Sequence, residues 1–195
     1  MQVDAFEEDT PGKGNYLDAP TKEAIVSAEF LKDRLIVFFE RSTWELVYTS
    51  NEVFPFRWQK IDTSQGVEST FSVVPFDRAA LGVGNVGIFA CDGVTVSRID
   101  NKIPDEVFEI HNESNGIERI WGIRDYYTEL VYWTFPDSQF NPTFPTKVLV
   151  FNYMDQSWAL NDDSITAFGY FQNPVDRTWN SVAPAIVTGK QVKLL

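Results

Sequence analysis

The feature that most constrains this chain is a strand-turn-strand unit that recurs along it. Ala24 to Leu31 reads AIVSAEFL, Lys32-Asp33 is a turn pair, Arg34 to Glu40 reads RLIVFFE, and Thr43 to Thr49 reads TWELVYT. The unit returns as Val86 to Cys91, Asp92-Gly93 and Val94 to Ile99. It returns again as Thr146 to Tyr153, a turn over Met154 to Gln156, and Ser157 to Leu160. Alternation with period two marks half-buried strands, and tight turns between such runs join neighbours as antiparallel hairpins. No helical period runs beyond about three turns. The expected class is all-β, built from antiparallel meander sheets.

Further strands fill in the units. The second opens near Phe71 (FSVVPFD) and continues through Ala79 to Gly84. The third takes Ile117 to Arg124, Thr128 to Thr134 and Lys147 to Asn152. Ser164 to Phe171 (SITAFGYF) is read as the start of a fourth unit, and Gln191 to Leu195 (QVKLL) as its last strand. Ser50 to Thr70 holds Pro55, Phe56 and Trp58 and reads as a crossover that packs its aromatics onto the sheet. A short helix is expected around Asp105 to Ile110. The hairpin ends Tyr48, Ile99 and Leu160 are 51 and 61 residues apart. A repeat of roughly 40–50 residues with three or four strands is the spacing of propeller blades. The expected architecture is a β-propeller or partial propeller, with about three clear blades plus a fragment. Residues 1–21 read as an acidic arm or the remnant of an upstream blade, and residues 22–195 as the propeller-like domain. The acidic start and the strand-like end suit a piece excised from a larger propeller.

Charge and composition narrow the functions. The 195 residues carry a net charge of -12, from 28 acidic and 16 basic side chains. That balance disfavours a basic nucleic-acid footprint and adhesion to an anionic membrane. Aromatics reach 15%, and flat rings suit packing across strand pairs. A single cysteine, Cys91, allows no intrachain disulfide and reads as a buried structural thiol. The start MQVDAFEEDT lacks the apolar core of a secretory signal, and no apolar run approaches the ~20 residues of a membrane helix, so no membrane insertion is expected.

Catalytic signatures are sparse. The lone histidine, His111, lies in the polar stretch EIHNESNG, so neither a histidine triad nor a multi-histidine metal site can be built. Glu7-Glu8-Asp9, Asp105-Glu106 and Asp162-Asp163 are adjacent acids, and neighbours on a strand point to opposite faces. Gly82-Val83-Gly84 lacks the remainder of a phosphate-loop pattern. No cofactor, metal or catalytic residue is assigned, and an enzyme is not expected. Trp44 and Trp158 read as packing residues, whereas Trp58 and Trp179 lie in connectors. Phe135 to Thr146, with three prolines, is the longest loop and the best recognition candidate. The candidate interaction surface is Trp58, Phe135, Phe140, Phe144 and Trp179.

One run reaches beyond composition. EVFPFRWQKIDTSQGVESTFSVVPFDRAALGVGNVGIFACDGVTVSRID resembles the β-propeller proteins of tailed-bacteriophage virions, the tail-accessory or head-to-tail stabilisation proteins. There a blade ends, a Pro-Phe segment crosses over, and a glycine introduces a blade closed by an Asp-Gly turn. TELVYWTFP followed by TKVLVFNYMDQSWAL resembles another such blade. The similarity covers about Lys22 to Phe171. It implies a structural head-tail connector role without catalysis, in multiple copies around the tail axis, against other virion proteins and in passive contact with passing DNA. The implied location is the virion neck or tail, and the host cytoplasm during assembly. Two alternatives are carried: a carbohydrate-binding propeller using exposed aromatics, and a propeller glycoside hydrolase with convergent carboxylates.

Overall fold

A computed structural model describes residues 16–51, 54–84, 86–103, 110, 120–137 and 143–170. The described chain is all-β, with three four-stranded antiparallel sheets and one short 3-10 turn at Thr70–Ser72. Each sheet is a meander in chain order. The first holds β1 (Ile25–Leu31), β2 (Arg34–Phe39), β3 (Thr43–Tyr48) and β4 (Phe56–Asp62). The second holds β5 (Val74–Pro75), β6 (Ala80–Gly84), β7 (Gly87–Cys91) and β8 (Val96–Arg98). The third holds β9 (Trp121–Asp125), β10 (Leu130–Phe135), β11 (Lys147–Asn152) and β12 (Trp158–Asn161).

Local chemistry explains the turns. Lys32 takes a φ of 60° in the two-residue β1–β2 connection. Asp92 Oδ1 accepts the Val94 and Thr95 N–H groups at 2.8 and 2.7 Å. Asp62, Asp125 and Asn152 cap the chain at the ends of their own strands in the same way. Short carboxylates and amides mimic a backbone turn, which is why these residues end strands. Gly93 has a φ of 85°, and a Cβ there would lie 2.7 Å from Arg34 Nη1, so backbone and neighbour both require glycine.

The second sheet is the middle layer, and the two sides of its strands separate cleanly. Leu81, Val83 and Ile88 pack against Val131, Trp133, Phe135, Leu149 and Phe151 of the third sheet. The intervening residues Ala80, Phe89 and Cys91 pack against Leu31, Ile36 and Phe38 of the first. Period-two alternation thus feeds two cores from one sheet.

Residues 66–72 tie the layers together. Val67 N–H donates to the Phe39 carbonyl at 3.0 Å, and Glu68 N–H to the Val83 carbonyl at 3.2 Å. Ser69 Oγ donates to the Ile120 carbonyl at 2.8 Å, and Trp133 Nε1 to the Ser72 carbonyl at 2.9 Å. One short segment therefore bonds to all three sheets. Gly66 and Gly84 allow its close approach: a Cβ on Gly84 would lie 2.2 Å from the Gly66 carbonyl oxygen.

Two expectations are corrected. Ser50 to Thr70 is not wholly a crossover, because Phe56–Asp62 pairs with β3 as the fourth strand of the first sheet. Pro55 precedes this edge strand, so its missing N–H removes no ladder bond. Ser164 to Tyr170 does not begin a fourth sheet; it carries no strand. Instead the Ile165 carbonyl accepts the Thr134 hydroxyl, and Ile165 and Phe168 pack beneath the third sheet. The expected helix over Asp105 to Ile110 lies outside the described residues except for Ile110, which bridges Asp137. Gln191 to Leu195, residues 1–15 of the acidic arm, and the adjacent acids at 7–9 and 105–106 also lie outside them, as does His111.

Candidate functional site

Two features of the described surface stand apart: an apolar face on the first sheet and a cationic groove between the second and third. The face follows from register. Phe30, Leu35, Leu46 and Trp58 stand opposite one another across β1 to β4. Ala28, Val37, Trp44 and Lys60 form the next row, and Tyr48 pairs with Phe56. Directly opposed residues share a sheet face. Ile36 and Phe38 look toward the second sheet, so these rows look away from it.

This outer face is apolar and only partly covered. Val37 and Phe39 are buried, with the Trp58 ring edge-on to Phe39 at 5.8 Å. Trp58 Nε1 donates to the Asp18 carbonyl at 2.8 Å, so the start of the described chain reaches this sheet. Phe30, Tyr48 and Phe56 remain 63%, 65% and 45% exposed. Among the described residues, no buried cluster joins these rows to another sheet.

The proposed interaction residues fall into different places. Trp58 is half-buried within the apolar face. Phe144 is exposed. Phe135 is a correction: at 1% exposure it is a core side chain beside Trp133 and forms no surface. It ends β10, and alternation turns it inward with Val131 and Trp133. Phe140 and Trp179 lie outside the described residues. Trp44 is half-buried, and Trp158 packs on Phe151 at 4.3 Å and on Trp133 at 6.3 Å.

The groove has a volume of about 700 Å³. Its walls come from the β5–β6 turn (Phe76 to Ala79), the end of β8 and the residues after it (Arg98, Ile99, Asn101 and Lys102), Arg124 on β9, and Phe151, Tyr153 and Gln156 around the β11–β12 turn. Arg124 stands opposite Val131, on the face of the third sheet that meets the second. Its guanidinium carbon lies 4.0, 4.5 and 4.8 Å from the ring centres of Phe76, Tyr126 and Tyr153. Phe76 meets Tyr153 edge-on at 5.1 Å. Such rings attract and orient a cation. Arg98 is already engaged: it binds the buried Asp100 through two 2.9 Å contacts, and Asp100 also accepts the Ile88 N–H. Sequence reading missed this groove. The available signal was Arg124 itself, a cation inside a strand of an acidic chain.

Several of the described acids are engaged in structure. Glu45 lies below the usual carboxylate range, first because Arg34 hydrogen-bonds it, at 2.7 Å between Nε and Oε1. Arg34 also donates to the Gly93 carbonyl, linking the first sheet to the β7–β8 turn. Thr95 and Val94 N–H groups hold Asp92 below that range. Burial pushes Asp125 upward, but bonds from Thr128 and Tyr127 outweigh it and leave its pKa lowered. Asp162 and Asp163 are exposed. Among the described residues, no group of three or more His, Cys, Asp or Glu side chains is arranged to hold a metal. Cys91 is buried, and burial pushes its thiol up to about 11, so it carries no thiolate at neutral pH. Gly82 and Gly84 lie within β6 rather than in a phosphate loop.

No protein-family model matches the chain, and no curated protein matches its sequence significantly.

Proposed function

We propose that the chain is a non-catalytic, propeller-like structural module of a phage virion neck or tail, working by burying sheet faces against neighbouring subunits. Three meander sheets packed face to face support the propeller-like reading, each sheet serving as a blade. The observation that carries the assembly role is the outer face of the first sheet. Large apolar rings stand in register there, Phe30, Tyr48 and Phe56 remain exposed, and no further sheet meets them among the described residues. An apolar patch of this kind marks an interaction surface in a stable protein. The occupant that fits best is another four-stranded sheet, because that is what covers both faces of the second sheet. The acidic balance fits a part that must not grip passing DNA.

Antibody-gold labelling of virions or induced prophage particles tests the role. Label at the head-tail junction or along the tail is expected. Particles that contain no label at any position would overturn the reading.

A further inference from the structure

We propose that the groove between the second and third sheets binds a small organic anion: a phosphate or carboxylate carried on an aromatic or aliphatic body. The inference is independent of the assembly role, which uses the other end of the stack.

The first support is charge. Four cations line the groove, Arg78, Arg98, Lys102 and Arg124, against one carboxylate, Asp77. Asp100 neutralises Arg98. Asp155, outside the lining, is held low first by Ser157 and to a smaller degree by Lys102. The balance stays positive in a chain of net charge -12. The neighbouring cleft between the first and second sheets provides the control. Its lining pairs Lys32, Arg34 and Arg78 with Asp33, Asp77 and Asp92, so cations and acids cancel.

The second support is Arg124. Its Nε is buried and makes no hydrogen bond among the described residues. Its Nη2 has only a long 3.4 Å contact to the Tyr153 hydroxyl. A buried guanidinium nitrogen without a partner is costly unless something accepts from it. Three rings already fix its orientation, so an oxyanion entering the groove would meet the terminal guanidinium nitrogens already in place.

The third support is the wall. Phe76, Leu81, Ile99, Phe151 and Tyr153 give the groove apolar sides next to its cations. Its volume lies in the range of small-ligand sites, about 300–1,000 Å³. A bare ion would leave those walls wet, whereas an anion with an apolar body would cover them.

Calorimetric titration of the full chain at low salt is the test, with phenyl phosphate and benzoate as probes and phenol and inorganic phosphate as controls. At least one probe is expected to bind about tenfold tighter than both controls and to weaken as salt screens the groove. The tighter of the two assigns the head group. Arg124→Gln should abolish that preference. Because Arg124 also packs among rings, the exposed pair Arg78→Ala and Lys102→Ala is the second variant, with an expected loss of at least threefold. Probes that bind no tighter than the controls, or equally to the wild type and the double variant, would overturn the proposal.

Discussion

The first and third sheets are the same construction with different outer covers. Both are four-stranded meanders, and both pack one face against the second sheet. Beyond the third sheet, the chain itself returns: Phe168 and Ile165 pack on Ile123, Val148, Val150 and Tyr132. Beyond the first, the chain near Asp18 reaches Trp58, while Phe30, Tyr48 and Phe56 stay exposed. A four-stranded sheet in this chain is thus finished by its cover, not by its own strands. A nine-residue stretch without strands, residues 162–170, does for one end what a partner is proposed to do for the other.

The largest effect is expected in the core between the second and third sheets. Trp133 is fully buried, bonded to Ser72 and stacked near Trp158. Trp133→Ala should lower unfolding free energy by about 4 kcal/mol, measured by urea denaturation. A loss below about 1 kcal/mol would mean the second and third sheets do not share a tight core. Phe168→Ala probes the intramolecular cover and should cost about 3 kcal/mol by the same assay. An effect near zero would show that residues 162–170 do not close the third sheet, and the contrast with the first would vanish.

A smaller effect is expected where the first sheet is clipped to the second. Glu45→Gln removes the charged partner of Arg34 and should cost about 1–2 kcal/mol at neutral pH. The sign with pH follows from the lowered pKa. Stability from this pair is complete above the unfolded value of 4.5 and is lost as pH falls through the depressed folded value. Wild type and variant should therefore converge in acid. Curves that stay parallel down to that range would show the bond, not the charge, to be what matters. The smallest effect belongs to the open face. Phe30→Thr with Phe56→Thr keeps strand propensity and should change the isolated chain by less than about 0.5 kcal/mol per site. The same double variant should fail to enter particles, as read by immunoblot of purified virions. Incorporation at the wild-type level would separate this face from assembly.

What the sequence revealed was what local chemistry determines. The β1–β2 hairpin at Lys32-Asp33 and the β7–β8 hairpin at Asp92-Gly93 were legible because alternation and turn residues sit within a few positions of each other. β4 was not, because Pro55 reads as a breaker and only pairing with β3 makes Phe56–Asp62 a strand. SITAFGYF alternates like a strand, yet Ile165 and Phe168 within it serve as a cover, held by the Thr134 hydroxyl and the apolar underside of the third sheet. Phe135 looked like loop because Pro136 follows it, but its parity along β10 sends it into the core. The groove was least legible. Phe76 and Lys102 belong to the second unit and Arg124 and Tyr153 to the third, and only the stacking of the two sheets brings the pairs together.

The open face of the first sheet is proposed to be covered in the assembled particle. Hydroxyl-radical footprinting of Phe30, Tyr48 and Phe56, in the isolated chain and in intact particles, reads it residue by residue. Strong oxidation of all three is expected in the free chain and strong protection in the particle, with Tyr127, 99% exposed elsewhere, serving as the reference. Equal oxidation of the three rings in both states would contradict it.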